Sequence, residues 1–212
     1  RLEGNNKSLL DTKALFELGQ QAGPLDEDTL MLLNHKSAIE FMVDAVPTEG
    51  ITVPVIVDLQ AKLMRDLLRD SRDIGSIRRR VVNIDGSVYT PSSIPTLLEE
   101  TLNAIVDKVR NIRNPVEAAF FLWVNLAYLQ PFEDGNKRVS RLAANVPLML
   151  YNQAPLSFLD VDREDHALAM MGVYEFCDVS MAVDLFDRTY RRSQARYQVV
   201  LESMGSPDLF RV

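Results

Sequence analysis

Cysteine and histidine are nearly missing from this sequence of 212 residues, which holds one of the first and two of the second. A lone Cys177 closes no internal bridge, and His35 and His166 have no cysteine partners at zinc spacing, so disulfide and zinc frameworks are both excluded. Cys177 is expected as a buried spare thiol. No charged leader with an apolar stretch opens the sequence, and no apolar run approaches the ~20 residues of a membrane span. The expected compartment is the cytoplasm, with no membrane partner. Because residue 1 is Arg1, a longer parent protein is also expected. Basic excess is absent as well: 23 Lys and Arg face 30 Asp and Glu, for a net charge of -7, which argues against nucleic acid as a partner. The clusters Arg78-Arg79-Arg80 and Arg188, Arg191, Arg192, Arg196 sit beside acidic neighbours and read as solvated helix or hairpin faces.

What is present is apolar residue, 47% of the total and enough for one substantial core. Apolar positions recur at three- and four-residue steps, which predicts helices over most of the chain. Residues 9–21 form the first. Pro24 with Asp26, Glu27 and Asp28 starts the second, with Leu30, Leu33, Ser37 and Phe41 on its inner face up to Pro47. Helices are predicted next over 54–68, with Val55, Leu59, Leu63 and Leu67 buried, and over 97–109. Between 77 and 89, branched residues around Asp85-Gly86 predict one β-hairpin with a two-residue turn, closed off by Pro91 and Pro95. Asn114-Pro115-Val116-Glu117 is a capped helix opening, and residues 118–129 are apolar all round, so that helix runs through the middle of the core. After a break at Pro131 and Gly135 comes another apolar helix, bent at Pro147.

The break is the most informative segment. In 133–141, EDGNKRVSR, a polar turn with glycine leads into a helix whose first residues include two arginines. Amides at a helix start point at an anion, glycine lets backbone approach it, and Arg138 and Arg141, three apart, share a face. Asp134 fits if it holds a magnesium ion bridging phosphate oxygens. From the residues alone, this phosphate seat and a plain capped helix with surface arginines stand level.

The segment QPFEDGNKRVSR at 130–141 resembles the Fic family signature HxFx(D/E)GNGRxxR, with Phe132, Asp134, Gly135, Asn136, Arg138 and Arg141 on its positions. GSIRRRVVNIDGSVYTP at 75–91 is similar to the family's flap hairpin, and PLSFLDVDRE at 155–164 to the stretch after the motif. Glu3-Gly4 resembles the tail of the inhibitory motif (S/T)xxxE(G/N). The resemblance implies an all-α, Fic-type helical bundle with one small β-hairpin flap. It divides the chain into an inhibitory-helix-like segment at 1–20 and a Fic domain at 21–212. It also implies ATP and Mg2+ as cofactors: Asp134 on the metal, the loop amides of Gly135, Asn136 and Lys137 around the phosphates, Arg138 and Arg141 on the outer phosphates, and Phe132 anchoring the loop. Ser87, Val88 and Tyr89 would pin an extended protein target by strand addition, and Glu3 would pair with Arg141 to hold ATP out of the reactive pose. A homodimer is left open.

Two positions depart from the pattern. The family histidine, which accepts the proton of the target hydroxyl, is Gln130 here, and an amide is almost non-basic near pH 7. Lys137 replaces a glycine and resembles the Doc branch, which transfers a terminal phosphate instead of AMP, although Gly135 stands where Doc has alanine and Doc keeps its histidine. His35 and His166 lie far from the motif and read as surface or core residues. Glu133 is expected to be solvated. The resulting expectation is a nucleotide-binding relative of the protein adenylyltransferases with weak or altered AMP transfer, the alternatives being a Doc-like phosphotransferase or a nucleotide-sensing, protein-binding pseudoenzyme.

Overall fold

The computed structural model describes residues 26–204. The segment 1–20, Glu3 and the helix expected over 9–21 lie outside the described residues. Within them the regular structure is helical: α1 (Glu27–Glu49), α2 (Val53–Met64), a 3-10 turn (Ser71–Asp73), α3 (Pro95–Arg110), α4 (Pro115–Leu129), α5 (Asn136–Ala143), α6 (Asn145–Leu150), α7 (Arg163–Phe176) and α8 (Ser180–Met204).

Local signals start the helices. Asp26 caps α1 by accepting from the Thr29 amide, Thr52 caps α2 through Val55 N, Asn114 caps α4 through Val116 N and Glu117 N, and Asp162 caps α7 through Glu164 N and Asp165 N. Pro115 sits in the first turn of α4, where its missing N–H costs nothing. As its composition predicts, α4 has no wet face. Ala118, Leu122, Leu126 and Leu129 join a core built with α1, α2, α3 and α5, while Ala119, Trp123, Val124 and Ala127 join a second core with α6, α7 and α8. Held on both sides, α4 fixes the position of the loop at its C-terminal end.

Several expectations are corrected. The inner face of α1 is Asn34, Ala38, Met42, Ala45 and Val46, one position round from the predicted stripe. Asn34 takes the inside because its amide donates to the carbonyls of Leu63 and Arg65, closing the end of α2. α2 stops at Met64, and the break after α5 falls at Ala144. Pro147 sits in the first turn of α6, which tolerates it. Cys177, expected as a buried thiol, is exposed at the left-handed C-cap of α7.

No β-strand is found among the described residues, so the expected hairpin at 77–89 is an irregular flap. Its turn exists, with Ser87 N donating to Ile84 O, but only Gly86 has positive φ. The two-residue hairpin turns need positive φ at the first central residue, here Asp85, which lacks it, so the flanking segments splay. Their polar groups go elsewhere: Arg78 N to Pro131 O, Val88 N to the Glu175 carboxylate, Tyr89 N to the Ser87 hydroxyl.

Candidate nucleotide site at the α4–α5 junction

The loop between α4 and α5 begins at Gln130, whose φ of 49° places it in the left-handed region as the C-cap of α4. A non-glycine residue there is held by its surroundings. Its N–H donates to Leu126 O, its side-chain Nε2 donates to Ala127 O at 2.6 Å, and its carbonyl accepts from Arg78 Nε at 2.6 Å. The Gln130 amide is thus turned back on its own helix and buried.

Arg78 is the residue that sequence reading missed. Expected on a solvated face, it is 1% exposed, and its guanidinium donates to the carbonyls of Gln130, Arg80 and Ser92. Burial pulls its pKa down, and the nearby Glu133 charge pulls it back. A run of arginines carries no signal of which one turns inward; the clue is only that a flap must be tied to something. Arg79 is exposed, and Arg80 pairs with Asp73 and with Glu133 Oε1. Glu133, expected in solvent, is therefore tied to the flap, with Oε2 buried and unbonded among the described residues.

Phe132 is fully buried and anchors the loop in the first core. Asn136 closes the loop: its Oδ1 accepts from Phe132 N at 2.9 Å and its Nδ2 donates to Phe132 O at 2.7 Å. Its side chain holds loop shape, and only its main chain is left at the helix entrance. Gln60, also fully buried, donates to Asp134 O and accepts from Gly75 N, so it joins the loop to the start of the flap. Gly135 has φ of 80°, and a Cβ there would lie 2.8 Å from Met64 Sδ. Glycine is required twice, for conformation and for space.

α5 starts at this point. Asp134 is 62% exposed at its side chain, caps Gly135 N, and lies 3.8 Å from Arg138 Nη2. Arg138 is 13% exposed at its side chain, and its Nη2 approaches Met64 Sδ at 3.0 Å. Its Nε and Nη1 are buried and have no hydrogen-bond acceptor among the described residues. Lys137 is exposed on the first turn, and Arg141 lies half-buried one turn further on.

Across the loop stands α7. Tyr174 is buried, and burial lifts its phenol to about 12, although the Arg141 charge and the Gln130 side chain act in the opposite direction. Tyr89 stacks on Tyr128 at 4.5 Å and on Tyr174 at 6.0 Å, and burial pushes its own pKa up. Of the flap residues singled out in the sequence, Ser87 and the amide of Val88 bond to Glu175, Tyr89 donates to Tyr128 O, and the Val88 side chain is 87% exposed. His166 lies in the second core against Trp123 and Phe158, and His35 is exposed. No group of three or more metal-ligating side chains occurs among the described residues, and no described helix is long and apolar enough to cross a membrane.

Comparison with known proteins gives this geometry a context. Residues 50–148 match the Fic/DOC family. The chain is 29% identical over 175 residues to a protein adenylyltransferase Fic of Nematostella vectensis, an alignment covering 78% of this chain and 39% of that protein. It thus spans about two-fifths of the length of that curated relative. A Fic-1 fragment of C. elegans has a similar fold, with a TM-score of 0.79 at 23% identity, covering 96% of this chain and 61% of the fragment. BepC of Bartonella tribocorum, solved with bound AMPPNP, aligns at a TM-score of 0.57 and 13% identity, over 81% of this chain and 90% of that one. Residues 50–148 thus match the Fic/DOC family in sequence, and the described fold is similar to that of a solved Fic protein.

Proposed function

We propose that this domain binds ATP with magnesium at the entrance of α5 and is related in activity to the protein adenylyltransferases, with AMP transfer to a protein hydroxyl weakened by Gln130. The observation that carries the reading is Arg138, whose two buried, unbonded guanidinium nitrogens sit on the first turn of a helix entered through Gly135. Buried donors of a charged group are kept unpaired where a ligand takes them, and phosphate oxygens match both their charge and their geometry. The relative in Nematostella vectensis is named an adenylyltransferase, and the AMPPNP in BepC shows a nucleotide analogue held by a protein of this fold.

The residues fit magnesium as one exposed carboxylate, Asp134, beside the phosphate seat, which is how that ion binds with nucleotides. When bound, magnesium supplies charge neutralisation between phosphate oxygens. Arg138 and Arg141 hold the outer phosphates, and the amides of Gly135, Asn136 and Lys137 face the anion at the helix start. Ser87, Val88 and Tyr89 line the edge where an extended target segment lies. Glu3 acts as the inhibitory carboxylate toward Arg141. Gln130 accepts no proton, and loss of a positioned base costs about 10²–10⁴ in rate, while positioning and charge stabilisation persist.

The test is thermal melting in a Glu3→Gly background. Millimolar Mg-ATP raises the melting temperature, and Arg141→Ala abolishes the rise; no shift in the parent overturns the reading. A second reading, a nucleotide-sensing pseudoenzyme, is favoured by the Gln130 amide being spent on Ala127 O. Gln130→His separates the two: new transfer of α-phosphorus label from ATP to protein supports an intact site lacking only its base, and continued silence supports the sensor. Transfer of γ-label instead assigns the Doc-like phosphotransfer suggested by Lys137.

A further inference from the structure

Tyr174 belongs to none of the groups above, yet its hydroxyl combines three properties. It is buried on α7, only 3% exposed, and although the Gln130 side chain acts on its oxygen, its proton has no acceptor among the described residues. The ring cannot turn away, because it is stacked at 5° on Tyr89, which is stacked in turn on Tyr128 and bonded to the Tyr128 carbonyl. The groups acting on the hydroxyl are the Arg141 guanidinium and the Gln130 amide, one from each side of the loop. Other unbonded buried donors, Trp123 Nε1 and Tyr190 Oη, belong to residues of the aromatic second core. Only Tyr174 among these three has a cation and a loop residue acting on it.

We propose that the Tyr174 hydroxyl is a nucleotide-contacting group, donating a hydrogen bond to an anionic phosphate oxygen on the Gln130 side of the loop while Arg138 holds the polyphosphate on the α5 side. The proposal rests on the nucleotide-binding reading above. The phenol is neutral near pH 7 even in water, and burial moves it further from ionisation, so it stands as a hydrogen-bond donor toward phosphate. A fixed donor in a water-poor site loses little freedom when the anion arrives, which is the condition under which one hydrogen bond adds usefully to affinity.

Tyr174→Phe removes one oxygen and keeps the ring stack. In the Glu3→Gly background, Mg-ATP and adenosine are titrated calorimetrically into the parent, Tyr174→Phe and Arg141→Ala, and each protein is melted without nucleotide. The expected result is a Kd for Mg-ATP raised about tenfold by Tyr174→Phe, about 1.4 kcal/mol, with adenosine affinity unchanged and the unliganded melting temperature held or raised. Parent-like ATP affinity in Tyr174→Phe, with Arg141→Ala impaired, overturns the phosphate contact and leaves the nucleotide reading standing. An equal loss for adenosine also overturns it, because the ring would then be shaping the pocket. A parent that binds no Mg-ATP overturns both.

Discussion

Replacing Arg78 with methionine tests whether the flap and the α4–α5 loop are one built unit. The methionine keeps most of the apolar stem and removes the guanidinium, which in the native fold donates to three carbonyls on three separate stretches: Gln130, Arg80 and Ser92. An orphaned buried acceptor costs about 1–3 kcal/mol. Desolvation of the charge, which already pulls the Arg78 pKa down, is relieved by the substitution, so the lower figure per carbonyl applies. The expected loss is about 3 kcal/mol. For a chain of this length that is roughly 6–12 °C in melting temperature. Chemical denaturation with matched thermal scans measures it, and Arg78→Lys serves as control: a single ammonium cannot reach three divergent carbonyls, so it recovers only part of the loss. A loss below about 1 kcal/mol for the methionine variant would refute the reasoning, since the carbonyls would then be satisfied by water and the tie would be incidental.

Other outcomes rest on the same geometry. Gly135→Ala destabilises by about 2 kcal/mol, from positive φ and from a Cβ 2.8 Å from Met64 Sδ. Adding Met64→Ala removes the clash, so the double variant loses less than the two singles combined; strict additivity by denaturation would sink this account. Asp70 is held at about 2 by hydrogen bonds from the Arg72 side chain and backbone, with weaker help from the charges of Arg72 and Arg80. A carboxylate depressed by folding adds stability above its unfolded pKa and loses it as pH falls through the folded one, so its contribution fades from about pH 4 to pH 2. Asp70→Asn flattens the acid limb of the stability curve in that window, and a parent-like limb would contradict the assignment. Glu175→Ala releases the Ser87 hydroxyl and the Val88 amide, which shows as faster amide exchange at 87–89 with little change at 118–129.

The helices were legible because their signals are local. The acidic start at Asp26 and the cap at Asn114 are read from a few adjacent residues, and the all-round apolarity of 118–129 announces a central helix whatever surrounds it. What was not legible depends on long-range partners. Asn34 turns the inner face of α1 by one position because the end of α2, 29 residues away, offers carbonyls. Arg78 looks like its two neighbours until Gln130 arrives 52 residues later. The flap reads as a hairpin because alternation and Asp85-Gly86 fit one, but the dihedral at Asp85 and the donors' partners on α7 decide against a ladder. In the site, residue type and spacing located the helix entrance, while the use of each side chain had to be seen.

That use separates shape from binding. Gln130, Asn136, Gln60 and Arg78 all carry polar groups that a motif reading could assign to a ligand, and all four spend those groups on main chain. A carbonyl or amide already bonded at 2.6–2.9 Å must break that bond to serve a nucleotide, which returns much of what it gains. Around the loop, the donors left with an unmet requirement among the described residues are the Nε and Nη1 of Arg138 and the hydroxyl of Tyr174, on two helices that do not adjoin in sequence. The same logic separates the form of the loop from the side chain at 130: the backbone there is set by α4 and Arg78, and the Gln130 side chain adds one local bond to its own helix.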